Sequence, residues 1–136
     1  MASGVAVNQA CVDEYLNLKL KKKNTYIIFV LSDDSTEIKV EKTSESPSYE
    51  DFVADLPETA CRYAIYDFAY DLGEGKRNKL CFYAWSPDNA KIKNKMLYAS
   101  SKDALRRALV GIAVEVQGTD YSEVSYESVL EKATRK

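Results

Sequence analysis

The side chains that most often carry enzymatic chemistry are either missing from this sequence or poorly spaced for it. None of the 136 residues is a histidine, which excludes Ser-His triads, histidine-ligated zinc and imidazole acid–base catalysis. The cysteines Cys11, Cys61 and Cys81 lie far apart and form no C-x-x-C pair. We therefore interpret them as buried, reduced thiols and predict no metal site.

Two remaining features could suggest catalysis, and neither has the required spacing. Asp67 and Asp71 leave paired-carboxylate chemistry open in principle, but on one strand a separation of four residues places them apart. The segment Gly73-Glu74-Gly75-Lys76 lacks the four residues that separate the glycines of a phosphate-binding loop. We predict that the protein is not an enzyme and has no cofactor.

Charge is divided unevenly along the chain although the total is only −2. From Asp33 to Glu58 there are nine acids and two bases, a net −7, whereas Lys91 to Arg107 holds six bases and one acid, a net +5. The overall balance argues against a dedicated nucleic-acid binder. The basic segment instead suggests an acidic partner surface, with a merely solvated helix face as the alternative.

The basic segment also has the pattern of an amphipathic helix. With Leu105 at the centre of the buried face, Tyr98 and Ser101 fall beside it, and Met96, Asp103 and Arg107 fall opposite. A methionine ringed by bases is typical of a protein-binding surface, although a single exposed apolar residue is also common. Ser100 and Asp103 have capping-box spacing, which predicts a kink or a helix restart there.

The elements that must position this helix follow from periodicity and turn residues. Short runs rich in β-branched and aromatic residues predict five strands, and the aromatic runs are better explained by core packing than by base stacking. The expected strands are Tyr26–Leu31, Glu37–Thr43, Arg62–Tyr70, Lys79–Trp85 and Ile112–Val116. The expected helices are Asn8–Leu18, Tyr49–Leu56, Asn89–Leu109 and a last one from Asp120 or Ser122 through Ala133. This order predicts an α/β fold with a mixed five-stranded sheet that is flanked by helices on both faces. We expect a single domain over residues 1–136, with a flexible arm over about residues 1–6.

Several segments resemble the actin-depolymerising factor/cofilin family, in its short, nonvertebrate form. The matching segments are Met1 to Val7, Leu56-Pro57-Glu58, Cys61 to Asp67, Trp85-Ser86-Pro87 and, most specifically, Lys93 to Leu105. The resemblance covers essentially the whole chain and implies the ADF-homology fold. It also implies a protein that binds actin monomers and filaments, prefers ADP-actin, severs and depolymerises filaments and so drives actin turnover.

The resemblance assigns residues to two surfaces. The first, for monomers and filaments, comprises Ser3, Gly4, Val5, Ala6, Lys93, Lys95, Met96, Asp103, Arg106 and Arg107. The second, specific to filaments, comprises Lys76, Arg77, Lys79, Glu131, Lys132 and Arg135. Ser3 is the candidate site of regulatory phosphorylation, because a phosphate adds about −1.5 to −2 charge beside a surface built to meet acidic actin.

Two other functions stay open at this point. One is a noncatalytic ADF-homology adaptor that binds Arp2/3 or filament sides without severing, and the other is a phosphoinositide-binding module using the basic helix. The expected partners are actin, with phosphoinositide lipids and actin-turnover cofactors as further candidates, and not nucleic acid. We expect a monomer without a membrane span, in the cytoplasm at the actin cytoskeleton, with the nucleus as a further candidate location.

Overall fold

A mixed sheet of six strands forms the centre of the molecule in a computed structural model that describes residues 5–134. The strands are β1 (Ala6–Val7), β2 (Tyr26–Leu31), β3 (Glu37–Ser44), β4 (Arg62–Asp71), β5 (Lys76–Trp85) and β6 (Val114–Gly118). Their order across the sheet is β1-β3-β2-β4-β5-β6. The two outer pairs are parallel and the three inner pairs are antiparallel, so the predicted mixed sheet is confirmed.

A hairpin joins the two longest strands, β4 and β5. Arg62 pairs with Trp85 and Asp71 pairs with Lys76, which gives ten residues of continuous antiparallel pairing. Gly73 and Gly75 form the turn with φ angles of 91° and 102°, a region in which glycine has no steric penalty. The hairpin therefore extends the sheet well beyond the edge strand β6, which reaches only from Cys81 to Trp85 along β5.

The helices pack on both faces of this sheet, as the sequence predicts. They are α1 (Gln9–Lys21), α2 (Tyr49–Ala54), α3 (Ile92–Ala108) and α4 (Tyr126–Thr134), with a 3-10 turn at Tyr121–Val124. Alternate residues of each strand point to opposite faces, so the sheet separates two apolar cores. Tyr15 and Leu105 bring α1 and α3 into one core, and Phe52 and Val129 bring α2 and α4 into the other.

The sequence pattern does not predict the sixth strand, β1. It has only two residues, Ala6 and Val7, and such a short segment carries no periodicity. It pairs with β3 because the backbone N–H groups of Ala6 and Asn8 donate to the carbonyls of Thr36 and Ile38, both at 2.9 Å. The Asn8 side chain then accepts a hydrogen bond from the Ala10 N–H and begins α1.

Two helices differ from the sequence expectation. The helix α3 begins at Ile92, later than the predicted Asn89, because the N–H groups of Ser86 and Asp88 donate to backbone carbonyls at the end of β6 and directly after it. It then runs without interruption, so a restart at Ser100 is wrong. The predicted last helix is divided into a 3-10 turn and α4, since Ser125 between them has extended backbone angles.

No helix within residues 5–134 is long and apolar enough to cross a membrane.

Candidate functional site

The rotation of α3 about its axis is fixed by contacts on its buried side. The Tyr98 hydroxyl accepts a hydrogen bond from the Leu31 N–H at 2.9 Å, and the Tyr63 hydroxyl donates to the Tyr98 carbonyl. Ser101 and Leu105, which lie on the same side of α3, are also fully buried. Because these contacts attach α3 to strands β2 and β4, the residues on its opposite side are held outward.

Met96 lies on that outward side, in an otherwise charged surface. Its side chain is 66% exposed, and Lys93, Asp103 and Arg107 are exposed around the same side of the helix. We call this surface the α3 face. The predicted exposure of Met96 opposite the buried stripe is confirmed, and a large apolar side chain in a polar rim has the composition of a protein-binding patch.

Three further bases at the edge of the α3 face already have intramolecular partners. The Lys95 ammonium donates to the Asp88 carbonyl at 3.1 Å. The Arg106 Nε donates to Glu115 at 2.7 Å, and the Lys102 ammonium is 3.6 Å from the same carboxylate. Although partial burial opposes its ionisation, hydrogen bonding to Arg106 and the nearby positive charges hold the pKa of Glu115 below its usual value.

Sequence reasoning missed the cluster of Lys102, Arg106 and Glu115. The spacing of Lys102 and Arg106 by four residues places both on one side of α3 and was a usable signal. Their acidic partner comes from β6, at the far edge of the sheet, and only the tertiary structure brings it beside the helix. Glu115 therefore decides how much positive charge this edge of the helix presents to a partner.

The described residues in the amino-terminal part of the first predicted surface lie next to α3. The strand β1 contacts α3, with Ala6 exposed and Val5 half-buried against the same core. Ser3 and Gly4 lie outside the described residues. The structure thus brings the described members of the first surface, from β1 and from α3, to one side of the molecule.

The residues predicted for the filament-specific surface lie on other elements, and a hydrogen bond joins their two segments. Lys76 and Arg77 are exposed at the start of β5 beside the hairpin turn. The Lys79 ammonium donates to the Ala133 carbonyl at 2.5 Å and so attaches β5 to α4. Its charge is consequently less available than the sequence suggests.

On α4 itself, Glu131 and Lys132 are both exposed. Arg135, the last residue predicted for the filament-specific surface, lies outside the described residues. The described part of this second surface is therefore formed by the β4–β5 hairpin and α4, separate from β1 and α3.

The cysteines and Asp67, which were considered above for chemistry, have structural contacts. The three cysteines are completely buried, and burial is the main cause that raises the pKa of Cys11 to about 11 and of Cys81 to about 12. Asp67 accepts a hydrogen bond from Asn78 at 3.0 Å and forms a salt bridge with Lys22 at 3.3 Å. Among residues 5–134, no three His, Cys, Asp or Glu side chains are placed to share a metal ion.

The fold and these two surfaces define a class of small protein-binding domains. Comparison with known proteins identifies the class more closely. A family model described as "Cofilin/tropomyosin-type actin-binding protein" matches residues 4–134. The cofilin of Mycosarcoma maydis is 64% identical over 136 residues, covering 99% of this chain and 98% of that protein. The cofilin of Saccharomyces cerevisiae is 56% identical, covering 98% of this chain and 94% of that protein.

Solved structures agree with the sequence comparison. The crystal structure of Streptomyces griseoflavus cofilin matches with a TM-score of 0.94 and 62% identity, covering 97% of this chain and 98% of that chain. The structure of Plasmodium berghei actin depolymerization factor 2 matches with a TM-score of 0.88 and 34% identity, covering 98% and 99%. The chain belongs to the cofilin/ADF family of actin-binding proteins, and its predicted ADF-homology fold is confirmed.

Proposed function

We propose that this chain binds actin monomers and filaments, prefers ADP-actin, and severs and depolymerises filaments so that actin turns over faster. Membership of the cofilin/ADF family supports this proposal. The single observation that carries it is the α3 face, where Met96 is 66% exposed among charged side chains and lies on the helix that β1 contacts.

The α3 face suits an acidic partner for two physical reasons. Lys93, Lys95 and Arg107 attract negative charge at a distance and orient the approaching protein. Met96 then supplies the contact that excludes water, because its flexible apolar side chain adapts to an irregular surface. The exposed Asp103 sets orientation by pairing with a base on the partner.

Severing requires two contacts and no catalytic residue. The first surface would hold one actin subunit while the hairpin and α4, with Lys76, Arg77, Glu131 and Lys132, touch its neighbour in the filament. A ligand that binds one subunit arrangement better than another shifts the filament toward that arrangement. Filament contacts would then break where decorated and bare segments meet.

The remaining parts of the proposal concern setting and regulation. We place the protein at the actin cytoskeleton in the cytoplasm, as a monomer, with access to the nucleus as an additional proposal. Phosphorylation of Ser3 would inactivate the first surface, and phosphoinositide headgroups would compete with actin for the bases of α3. These proposals follow from the family resemblance and from the charge of the helix.

The function is tested by co-sedimentation with filaments, a monomer-binding titration and imaging of single filaments. Lys95→Ala with Met96→Ala should weaken monomer binding by at least about 2 kcal/mol, the loss expected for truncating an interface anchor. The matched control is Leu20→Ala with Lys21→Ala, which removes an exposed apolar side chain and a lysine from α1. The control should bind actin like the unmodified chain, and both variants should keep their circular dichroism spectra.

Each alternative has its own result in these assays. Unchanged monomer affinity in the Lys95/Met96 variant would contradict the assignment of the α3 face. Filaments that bind the protein and never shorten would identify an adaptor. Binding to phosphoinositide vesicles without any binding to actin would identify a lipid module.

Lys76→Ala with Arg77→Ala should reduce filament binding and leave monomer binding unchanged, which separates the two surfaces.

A further inference from the structure

A groove of about 780 Å³ lies between α2 and the segment from the 3-10 turn into α4. Its apolar lining includes Tyr49, Val53, Tyr121 and Tyr126. Tyr121 and Tyr126 are 41% and 39% exposed, unusually high values for aromatic side chains in this molecule. We call this feature the tyrosine groove.

Internal contacts hold two of these tyrosines by their hydroxyl ends. The Tyr49 hydroxyl donates to the Val124 carbonyl at 2.6 Å, and the Tyr121 hydroxyl donates to the Leu56 carbonyl at 2.8 Å. The ring of Tyr121 also packs on Trp85, with 4.9 Å between centroids. Because the polar ends point into the protein, the rings are presented to a ligand as rigid apolar surfaces.

The third ring connects the two walls of the tyrosine groove. Tyr126 of α4 packs edge-on against Tyr49 of α2, with 5.8 Å between centroids, and lies 5.1 Å from Phe68 beneath it. The groove is thus a shallow channel with a preformed aromatic floor. Such a surface loses little conformational entropy when it binds a ligand.

Negative charge surrounds the tyrosine groove on both sides. Residues 48–54 and 120–127 carry five acids and no base. These acids are Glu50, Asp51, Asp120, Glu123 and Glu127, all of them exposed. Glu50 and Glu127 line the groove itself, one from each wall. A ligand that fits the rings must therefore also be positively charged.

We propose that the tyrosine groove binds an arginine-bearing, proline-rich segment of a partner protein in an extended conformation. Proline rings pack well on tyrosine rings, and a polyproline II segment is ordered before it binds, so it suits a shallow aromatic channel. Arginine guanidinium groups flanking the prolines pair with Glu50 and Glu127. This function goes beyond actin binding, since it requires no contact with the α3 face.

The position of the groove leaves the α3 face open to an actin monomer. The residues of α2 and α4 pack on one side of the sheet, whereas α1 and α3 pack on the other. A proline-rich segment in the groove would leave Met96 and its neighbours uncovered. The groove would therefore recruit a second protein to an actin monomer that this chain has bound through the α3 face.

The probe is a fluorescent 12-residue peptide with a Pro-x-x-Pro centre and two arginines at each end, titrated into the full chain without actin. Binding should increase its anisotropy, and amide shifts in NMR spectra should concentrate at α2, the 3-10 turn and α4. Glu50→Lys with Glu127→Lys should weaken binding at least about tenfold, because two attractive contacts become repulsive. Glu74→Lys, an exposed acid in the hairpin, is the matched control and should bind normally.

A second peptide, with glutamates in place of the arginines, should bind the charge-reversed variant better than the unmodified chain. The proposal is overturned if anisotropy does not change at up to about 1 mM peptide, if the charge reversal has no effect, or if the shifts fall elsewhere. A concentration-dependent dimer abolished by the same reversal would mean that a second copy occupies the groove, which would also overturn it. Since actin is absent, failure here leaves the actin-binding proposal untouched.

Discussion

Val5 and Ala6 are held in place by the backbone near β3 and by the core beneath the long helix. The Ala6 N–H donates to the Thr36 carbonyl at 2.9 Å, and Val5 packs against the core that lies beneath α3. Ser3 precedes Val5 by only two residues in the chain. The proposed phosphorylation of Ser3 therefore predicts that a charge added at this residue affects binding to actin.

A negative charge at Ser3 should weaken binding to actin. We expect Ser3→Glu to bind monomers about tenfold less tightly, or about 1.4 kcal/mol, because the added charge faces an acidic partner. The measurement is a monomer titration at low and high salt, in which the loss should shrink as salt screens the charge. Ser3→Ala is the control and should bind normally. Equal affinities for the two variants at low salt would contradict a switch at this residue.

Among the contacts between elements, the link from β6 to α3 bears most directly on function. Glu115 accepts a hydrogen bond from Arg106 at 2.7 Å and lies 3.6 Å from the Lys102 ammonium. Its side chain is 42% exposed, so this pairing contributes little to stability in water. Its larger effect is to offset positive charge beside the α3 face, where an acidic partner is expected.

Removal of that acid should strengthen binding to actin. We expect Glu115→Gln to bind monomers a few-fold more tightly at low salt, because Arg106 becomes free to pair with the partner and the local charge rises. The advantage should disappear at high salt. Glu45→Gln removes the same charge before α2 and should have little effect, which controls for net charge. Weaker binding by the Glu115 variant would instead show that the ion pair holds Arg106 in its binding conformation.

Most elements could be predicted from the sequence because their signals are local. The continuous apolar run of β2 and the glycine turn of the hairpin depend on neighbouring residues alone. The later start of α3 depends on hydrogen bonds from Ser86 and Asp88 to the end of β6 and the residue after it, about thirty residues away in the chain. Propensity cannot reveal such bonds, because a proline such as Pro87 favours a nearby helix start whatever its distant contacts are.

The same distinction applies to the candidate site. The 3.6-residue period correctly placed Tyr98 and Leu105 inside and Met96 outside. The pairing of Lys79 with the Ala133 carbonyl joins residues 54 positions apart, and nothing in the local pattern indicates it. Periodicity therefore predicts which face is exposed, whereas the availability of each charge on that face depends on the tertiary structure.

The absence of histidine and the burial of the thiols together decide in which pH range the stability of the whole molecule changes. All three cysteines are buried, and desolvation is the first cause that raises the pKa of each one. Burial likewise raises the pKa of Tyr66 to about 12. These groups keep their protons well above neutral pH in the folded state, so the pH dependence of stability moves to the alkaline range.

The free energy of unfolding should stay constant between about pH 6 and 8 and fall above about pH 9. An unfolded Cys81 ionises near its ordinary pKa of 9.0, whereas burial raises the pKa of the folded thiol to about 12. The folded state thus binds more protons in this interval, and stability is lost as pH rises from the unfolded pKa to the folded one. Each such thiol contributes a slope of about 1.4 kcal/mol per pH unit.

Urea unfolding of Cys81→Ala at a series of pH values, with reductant present, tests this prediction. The variant should be less stable at neutral pH because it leaves a small cavity, but its stability should fall less steeply above about pH 9. Val116→Ala is the control, since Val116 is buried in the same core and has no proton to lose. Its stability curve should run parallel to that of the unmodified chain. If the Cys81→Ala curve also runs parallel, this thiol does not cause the alkaline loss, and the other buried thiols and the buried tyrosines must account for it.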